Sequence, residues 1–439
     1  MAVTDPSPVT ATTRFWHPFA DMAAVSRRQL VIERGEGVWV YDADGRRYLD
    51  GTASLWYANI GHGRGEVADA VAEQMRRLEA YQTFGDFGNG PASELTERLA
   101  ATAPMPGARI FLTSGGGDSI DTAAKIARRH WVLQGRPERV HLISRTNGYH
   151  GTHGFGTSVG GIEANTSNWG PLVPDVSAVV HDSLEALEAE ILSVGPERVA
   201  AFFCEPVIGA GGVLLPPEGY IQGVADLCAE HGVLFICDSV ICGFGRLGTW
   251  WGIERWEDVR PDLITFAKGV TSGYLPLGGV VVAEHVAAPF FDEPGGPMLR
   301  HGATYAGHPS CCAAALAVLD IYESEGLIER GRVLEGPLAD ALSPLVSHPA
   351  VGEVRAGLGF LAAVELSEDA LAAEPAAVSR VAQGAREAGV IVRPLLKGVA
   401  VSPPLICEQE HIDLLREGIE AGLERIGSAP AKPDPSSGG

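Results

Sequence analysis

The chain is 439 residues long, with 46% hydrophobic and 20% charged residues, enough for two or three domains and a large core and unlike a disordered chain. Its 33 basic against 55 acidic side chains leave a formal charge of −22, which excludes a basic stripe for nucleic acid or an acidic membrane. No apolar run approaches the roughly 20 residues that span a bilayer, the first residues lack a signal-peptide pattern, and the seven cysteines form no CxxC pair. These features predict a cytoplasmic protein with buried thiols.

Residues 1–13 and 428–439, rich in Pro, Ser, Thr, Ala and Gly, are expected to be tails. Between them, short β-branched runs alternate with amphipathic helix patterns. RIFLTS (109–114), RVHLIS (139–144), SAVVH (177–181), VAAFFCEPV (199–207), GVLFICDSV (232–240), LITFA (263–267) and GGVVVA (278–283) read as strands. This rhythm predicts an α/β fold with a mostly parallel sheet covered by helices. After the first strand, Ile120, Ala123, Ala124, Ala127 and Trp131 recur at helical spacing, directing Lys125, Arg128 and Arg129 largely toward solvent. From about residue 311 a helix leads into FLAAVEL (360–366) and VIVRPL (390–395) as strands, with helices near 376–388 and 409–426, a smaller α+β domain.

Three features could carry chemistry. Gly115, Gly116 and Gly117 sit between a strand and a helix, where free N–H groups and absent side chains make an anion cradle, although a tight turn alone would also need glycine. Asp238 and Lys268 each end an apolar strand, which brings both charges to the sheet edge where α/β proteins bind ligands. An ion pair closing that edge is the alternative. The chain has only four lysines, leaving 29 of its 33 basic residues as arginine. Arginine suits a static pair better, whereas lysine can become a neutral nucleophilic amine. GLGFLA (357–362) matches GxGxxA but runs into a strand, so it is no dinucleotide fingerprint.

A phosphate cradle with a strand-end lysine and aspartate describes a site for pyridoxal 5'-phosphate. From Trp16 to Ile426 the chain resembles the class III (ω-aminotransferase) family of fold type I pyridoxal phosphate enzymes. The matching segments are LDGTASLW (49–56), FLTSGGGDSIDTAAKIARR (111–129), NGYHG (147–151), EPVIGAGG (205–212), DSVICGFGRLG (238–248), PDLITFAKG (261–269), HGATYAGHP (301–309) and RPLLKGVAVSPPL (393–405). The resemblance implies an N-terminal segment (14–58) packing with the small domain, a large cofactor-binding domain (59–310) and a small C-terminal domain (311–427). It implies that Lys268 is the Schiff-base lysine and Asp238 the partner of the pyridine nitrogen. Val240 and Tyr149 would lie on the two ring faces, and Gly116 and Gly117 would bind the phosphate. Thr304 would reach the phosphate of a neighbouring subunit, making a homodimer, or a dimer of dimers, with shared active sites. Glu205 matches a position near the cofactor oxygen; His150 matches one beside the ring, where packing is an equal alternative. His153, three residues on, is read as a chance HxxH spacing, with no metal expected. Trp56 and Tyr57 match an aromatic substrate wall, and Arg393 a mobile arginine that pairs with substrate carboxylates.

Two departures stand out. The family usually reads Asp-Glu-Val where this chain has Asp238, Ser239 and Val240, and Ser-Gly-Ser where it has Gly115, Gly116 and Gly117, so a carboxylate and a cradle hydroxyl are lost. The expected activity is amino transfer from an ω-amino acid or primary amine to a keto acid, with pyruvate the expected acceptor, in two half-reactions. An aminomutase, epimerase or decarboxylase of the same family, or a non-catalytic cofactor-binding scaffold, is the alternative reading.

Overall fold

The computed structural model describes residues 14–427; the two terminal tails read from sequence lie outside this range. A seven-stranded sheet forms its centre. In chain order its strands are β4 (Arg109–Thr113), β5 (His141–Arg145), β6 (Val176–Val179), β7 (Val199–Cys204), β8 (Leu234–Asp238), β9 (Leu263–Phe266) and β10 (Gly278–Val282), following β1 (Ile32–Glu36), β2 (Trp39–Asp42) and β3 (Arg47–Asp50) of a separate N-terminal sheet. The spatial order is β4-β10-β9-β8-β7-β5-β6. β10 runs antiparallel to both neighbours, and the other pairings are parallel. All seven runs predicted as strands are present. Every residue of β7, β8, β9 and β10 is buried, which explains their unbroken apolar sequences: helices cover both faces of the sheet.

The helix Gly116–Leu133 packs Ile120, Ala123, Ala124, Ala127 and Trp131 on the sheet. Lys125 is exposed as its spacing predicts. Arg128 differs, because its guanidinium bends back to the carbonyls of Val140 (2.8 Å) and Pro174 (3.1 Å) over the ring of Phe155. All seven cysteines are buried free thiols. Among the described residues, no helix is long and apolar enough to cross a membrane.

The C-terminal part contains β11 (Val351–Arg355), β12 (Ala362–Leu366), β13 (Val390–Ile391), β14 (Arg393–Pro394) and β15 (Gly398–Val401), with helices Ala377–Glu387 and Gln409–Gly427. The run VIVRPL, read from sequence as one strand, is two. β13 pairs in parallel with β3 of the N-terminal sheet, whereas β14 pairs with β15 in the other sheet. Val392 between them is buried, and the run is divided between two sheets there, just where it enters the site. Arg246 ties these parts together. Fully buried, it donates to the carbonyls of Phe360 and Pro403 (2.7 Å each) and to Asn59 Oδ1 (2.8 Å). It has neutral acceptors only, and burial lowers its pKa to about 10.

Candidate active site

The C-terminal ends of β4, β5, β7, β8 and β9 open onto one cleft, because parallel strands release their following residues at a common edge. Its inner part has a volume of about 190 Å³ and is lined by Gly116, Gly117, Tyr149, His150, Glu205, Asp238, Val240 and Lys268, with Leu55, Ile120, Gly151 and Ile241. Eight of the residues named from sequence therefore meet in one cavity. An adjoining outer part of about 270 Å³ is lined by Phe19, Trp56, Ile162, Asn165, Ala210, Arg393 and Leu396 among others, and it shares Leu55, Tyr149, Ile241 and Lys268 with the inner part. Trp56 and Arg393 thus face the same cleft.

Asp238, the last residue of β8, is buried, and both its oxygens are held from within the protein. Oδ1 accepts from Val240 N (3.0 Å) and Thr265 Oγ1 (3.2 Å), and Oδ2 lies 2.7 Å from His150 Nδ1. His150 is therefore more than packing: it is the direct partner of the aspartate, which the sequence could not show across a separation of 88 positions. Glu205, also buried, accepts from Tyr149 N and Gly209 N (3.0 Å each), and its own carbonyl accepts from the buried Arg145. Burial pushes the Glu205 carboxyl up despite these donors. Lys268 follows β9 with φ +46°, a left-handed conformation rare for a non-glycine residue and characteristic of functional positions. Its apolar surroundings lower the amine pKa to about 8, although Asp238 and Glu205 oppose the shift. An amine of that kind is neutral, and nucleophilic, more readily than a free lysine.

The glycine cradle is a close fit. A methyl group on Gly116 would lie 3.1 Å from Val240 Cγ1, and one on Gly151 (φ +84°) would lie 2.9 Å from Gly117 Cα. Side chains there would fill the space in front of the helix's first-turn N–H groups, which have no partner within the helix. Ser239, the departure beside Asp238, does not reach the cleft. It is buried and donates to Trp251 O at 2.6 Å.

The wall of the outer cavity depends on a strained turn. Ala53, Ser54 and Trp56 all have positive φ (44°, 59° and 64°). Asp50 holds this turn, accepting from Ser54 N (2.6 Å) and Thr52 N (3.2 Å) and pairing with His62 Nε2 (2.8 Å). The result puts Leu55 into both cavities, while Trp56, 4% exposed, packs with Val207 and Ile241. Leu55, Ile241 and Phe19 were not identified from sequence; only the position of Leu55 beside Trp56 could have suggested it. Arg393 is exposed and makes no ion pair among the described residues. Tyr57 bonds Ser54 Oγ at 2.6 Å and does not line either cavity. Thr304 stands on an exposed loop outside both cavities of its own chain. His153 pairs with Asp118 (3.2 Å) and not with His150.

Residues 22–423 match the family model described as Aminotransferase class-III. The putrescine–pyruvate aminotransferase of Pseudomonas aeruginosa is 36% identical, with 92% of this chain and 95% of that protein covered. An (S)-enantioselective ω-transaminase from Thermomicrobium roseum superposes with a TM-score of 0.89 at 41% identity, covering 93% and 96% of the two chains. An amine transaminase from an uncultivated Pseudomonas species, solved in its pyridoxal phosphate-bound form, gives 0.90 at 39% identity, with 95% and 100% covered. The residues present suit that cofactor: a side-chain-free cradle for a phosphate, a carboxylate for a ring nitrogen and a lysine amine with lowered pKa for an aldehyde. By sequence and by structure, the chain belongs to the pyridoxal phosphate-dependent class III aminotransferase family.

Proposed function

We propose that this enzyme transfers an amino group from an ω-amino acid or simple primary amine to a keto acid, pyruvate foremost, in two half-reactions that share one site. The observation that carries this reading is the meeting of Lys268, Asp238 and His150 in the inner cavity with Arg393 in the outer. The pyruvate-using relative supports the acceptor. When bound, pyridoxal phosphate supplies an aldehyde to receive the amino group and a ring to accept the electrons released at the substrate carbon. Lys268 would hold the aldehyde and, once displaced by the incoming amine, take the proton from the amine-bearing carbon. Its pKa of about 8 places it near neutrality, where a base can both accept and return a proton. Asp238, oriented by His150 and Thr265, would hold the proton on the ring nitrogen. Val240 and Tyr149 would enclose the ring, and Glu205, anchored to two backbone N–H groups, would fix its oxygen side.

The outer cavity gives the substrate preference. Phe19, Leu55, Ile162 and Leu396 offer an apolar surface to an amine chain, and Arg393 offers two parallel donors to a carboxylate. The same reading includes a second copy of the chain. Phe84, Met298 and Tyr305 are 53%, 65% and 67% exposed on segments near Thr304, large apolar side chains that a second copy would cover. A second copy covering this face would bring Thr304 to the neighbouring phosphate.

The test is spectroscopic. The purified holoenzyme is mixed with a panel of ω-amino acids and primary amines without a keto acid. Conversion of the bound aldehyde band to the aminated-cofactor band, and its reversal with pyruvate as alanine forms, are expected. Bleaching by no donor, or consumption of amine without stoichiometric alanine, overturns amino transfer to pyruvate. Light scattering of the same sample should give the mass of a dimer or a multiple of it.

A further inference from the structure

Residues 53–56 hold a conformation that their own side chains oppose. Ala53, Ser54 and Trp56 lie in the left-handed region, where a Cβ crowds the neighbouring carbonyl, and no glycine stands among them. Such a turn persists only when the contacts around it over-determine it. On one side the buried Asp50 carboxylate collects three donors: Oδ1 accepts from Thr52 N (3.2 Å), and Oδ2 from Ser54 N (2.6 Å) and His62 Nε2 (2.8 Å). Because both oxygens face donors, an amide in place of the carboxylate would turn its own N–H₂ toward an N–H. His62 is itself fixed. Its backbone pairs both ways with Gly37 (2.8 and 3.0 Å), and its side chain covers Gly35, where a methyl group would lie 2.7 Å from His62 Cβ. On the other side Ser54 Oγ and Tyr57 Oη are 2.6 Å apart, and the Tyr57 ring lies against Gly273, in the segment that follows Lys268, leaving no room there for a side chain. Asp50 and His62 line neither the inner nor the outer cavity, but what they hold does. Leu55, between two left-handed residues, lines both, and so does Lys268. The carbon from which Lys268 takes a proton therefore lies at the same junction as the Leu55 side chain.

We propose that Asp50 and His62 are a positioning pair for substrate selection: by holding the turn at 53–56 they fix Leu55 at the junction of the two cavities, where it limits the bulk carried by the amine-bearing carbon. This rests on the reading of the cleft as an amino-transfer site. The pair touches neither cofactor nor substrate, so its removal alters which amines are accepted and leaves the affinity for pyridoxal phosphate in place.

The experiment compares full-length holoenzymes: wild type, His62→Ala, His62→Gln, Asp50→Asn, Leu55→Ala and the double variant His62→Ala with Leu55→Ala. For each, kcat/KM is measured for an unbranched primary amine and for an isomer branched at the amine-bearing carbon, with pyruvate as acceptor. The ratio of linear to branched is expected to fall at least about fivefold in His62→Ala, Asp50→Asn and Leu55→Ala, the scale on which an apolar pocket discriminates by bulk. His62→Gln, whose amide can still donate to Asp50, should keep the wild-type ratio. If the pair acts through Leu55, the double variant should differ from Leu55→Ala by less than about twofold. Titration of cofactor-free His62→Ala with pyridoxal phosphate should match wild type within about twofold, since the inner cavity keeps its own anchors. An unchanged ratio in His62→Ala and Asp50→Asn, a double variant showing the product of the two single effects, or a fall in cofactor affinity that parallels the loss of turnover each overturns the proposal. A wild type that turns over with the ratio unmoved by the variants defeats this inference alone, whereas a wild type that aminates no keto acid with either amine defeats the underlying reading of the cleft as well.

Discussion

The inner and outer halves of the cleft are built on different principles. In the inner half, functional groups sit at strand ends or the first turn of a helix, and their polar atoms are held by the protein: Asp238 by Val240 N, Thr265 and His150, Glu205 by Tyr149 N and Gly209 N. In the outer half, Phe19, Leu55, Trp56 and Arg393 come from a loop, a positive-φ turn and a two-residue strand, and Arg393 is exposed. On the proposed reading, chemistry that every substrate shares would sit at the sheet edge, and discrimination between substrates would sit on segments that can differ without disturbing it.

The sharpest way to break this contrast is at its inner end. Lys268→Ala should lower turnover by at least about 10³-fold, since the base and the anchoring amine are lost together. Stopped-flow absorbance should show amine binding without conversion of the band; substantial conversion would show that another group moves the proton. The outer end should respond selectively. Arg393→Ala is expected to raise KM for pyruvate roughly 10-fold to 100-fold, the weight of a hydrogen-bonded ion pair, while kcat/KM for an uncharged primary amine changes by less than about threefold. Equal losses for both substrates would place Arg393 in the common machinery.

A stability measurement separates the two halves without activity. The Lys268 amine titrates near 8 when folded, against 10.5 when unfolded. Above pH 10.5 it is neutral in both states; as pH falls toward 8 the unfolded chain takes up the proton first, so the lysine increasingly destabilises the cofactor-free fold, and below 8 the cost is constant. Lys268→Met should therefore be more stable than wild type by on the order of 3 kcal/mol at pH 7, a gap that narrows as pH rises from 8 to 10.5. Denaturant melts of cofactor-free protein at pH 7 and 9.5 check this; a gap that widened with pH would contradict the assignment. The smallest effect is expected at Ser239, which faces Trp251 and not the cleft. Ser239→Ala should cost about 1 kcal/mol of stability and change kcat by less than about twofold.

Much of the inner site was legible in the chain because its signals are local. An apolar strand followed by a lone Lys or Asp, and a strand followed by three glycines and an amphipathic helix, imply a shared edge once parallel order is assumed. The outer site was less so. Trp56 and Arg393 were found through resemblance, but Leu55 and Ile241 were not, because which neighbour faces the cleft depends on backbone angles around residue 54 that residue types do not set.

What the sequence by itself determined, then, is the alternation of strands and helices, the burial of the sheet and the identity of the groups at its edge. Periodicity and the cost of burying charge are properties of a few adjacent residues. Only the tertiary structure decided that VIVRPL divides between two sheets, that His150 holds Asp238, that Ser239 turns away and that His153 meets Gly117 and Asp118. Each of these is a contact between segments far apart in the chain or a side-chain direction at a loop, set by which surfaces pack together and by φ and ψ where no repeating pattern constrains them.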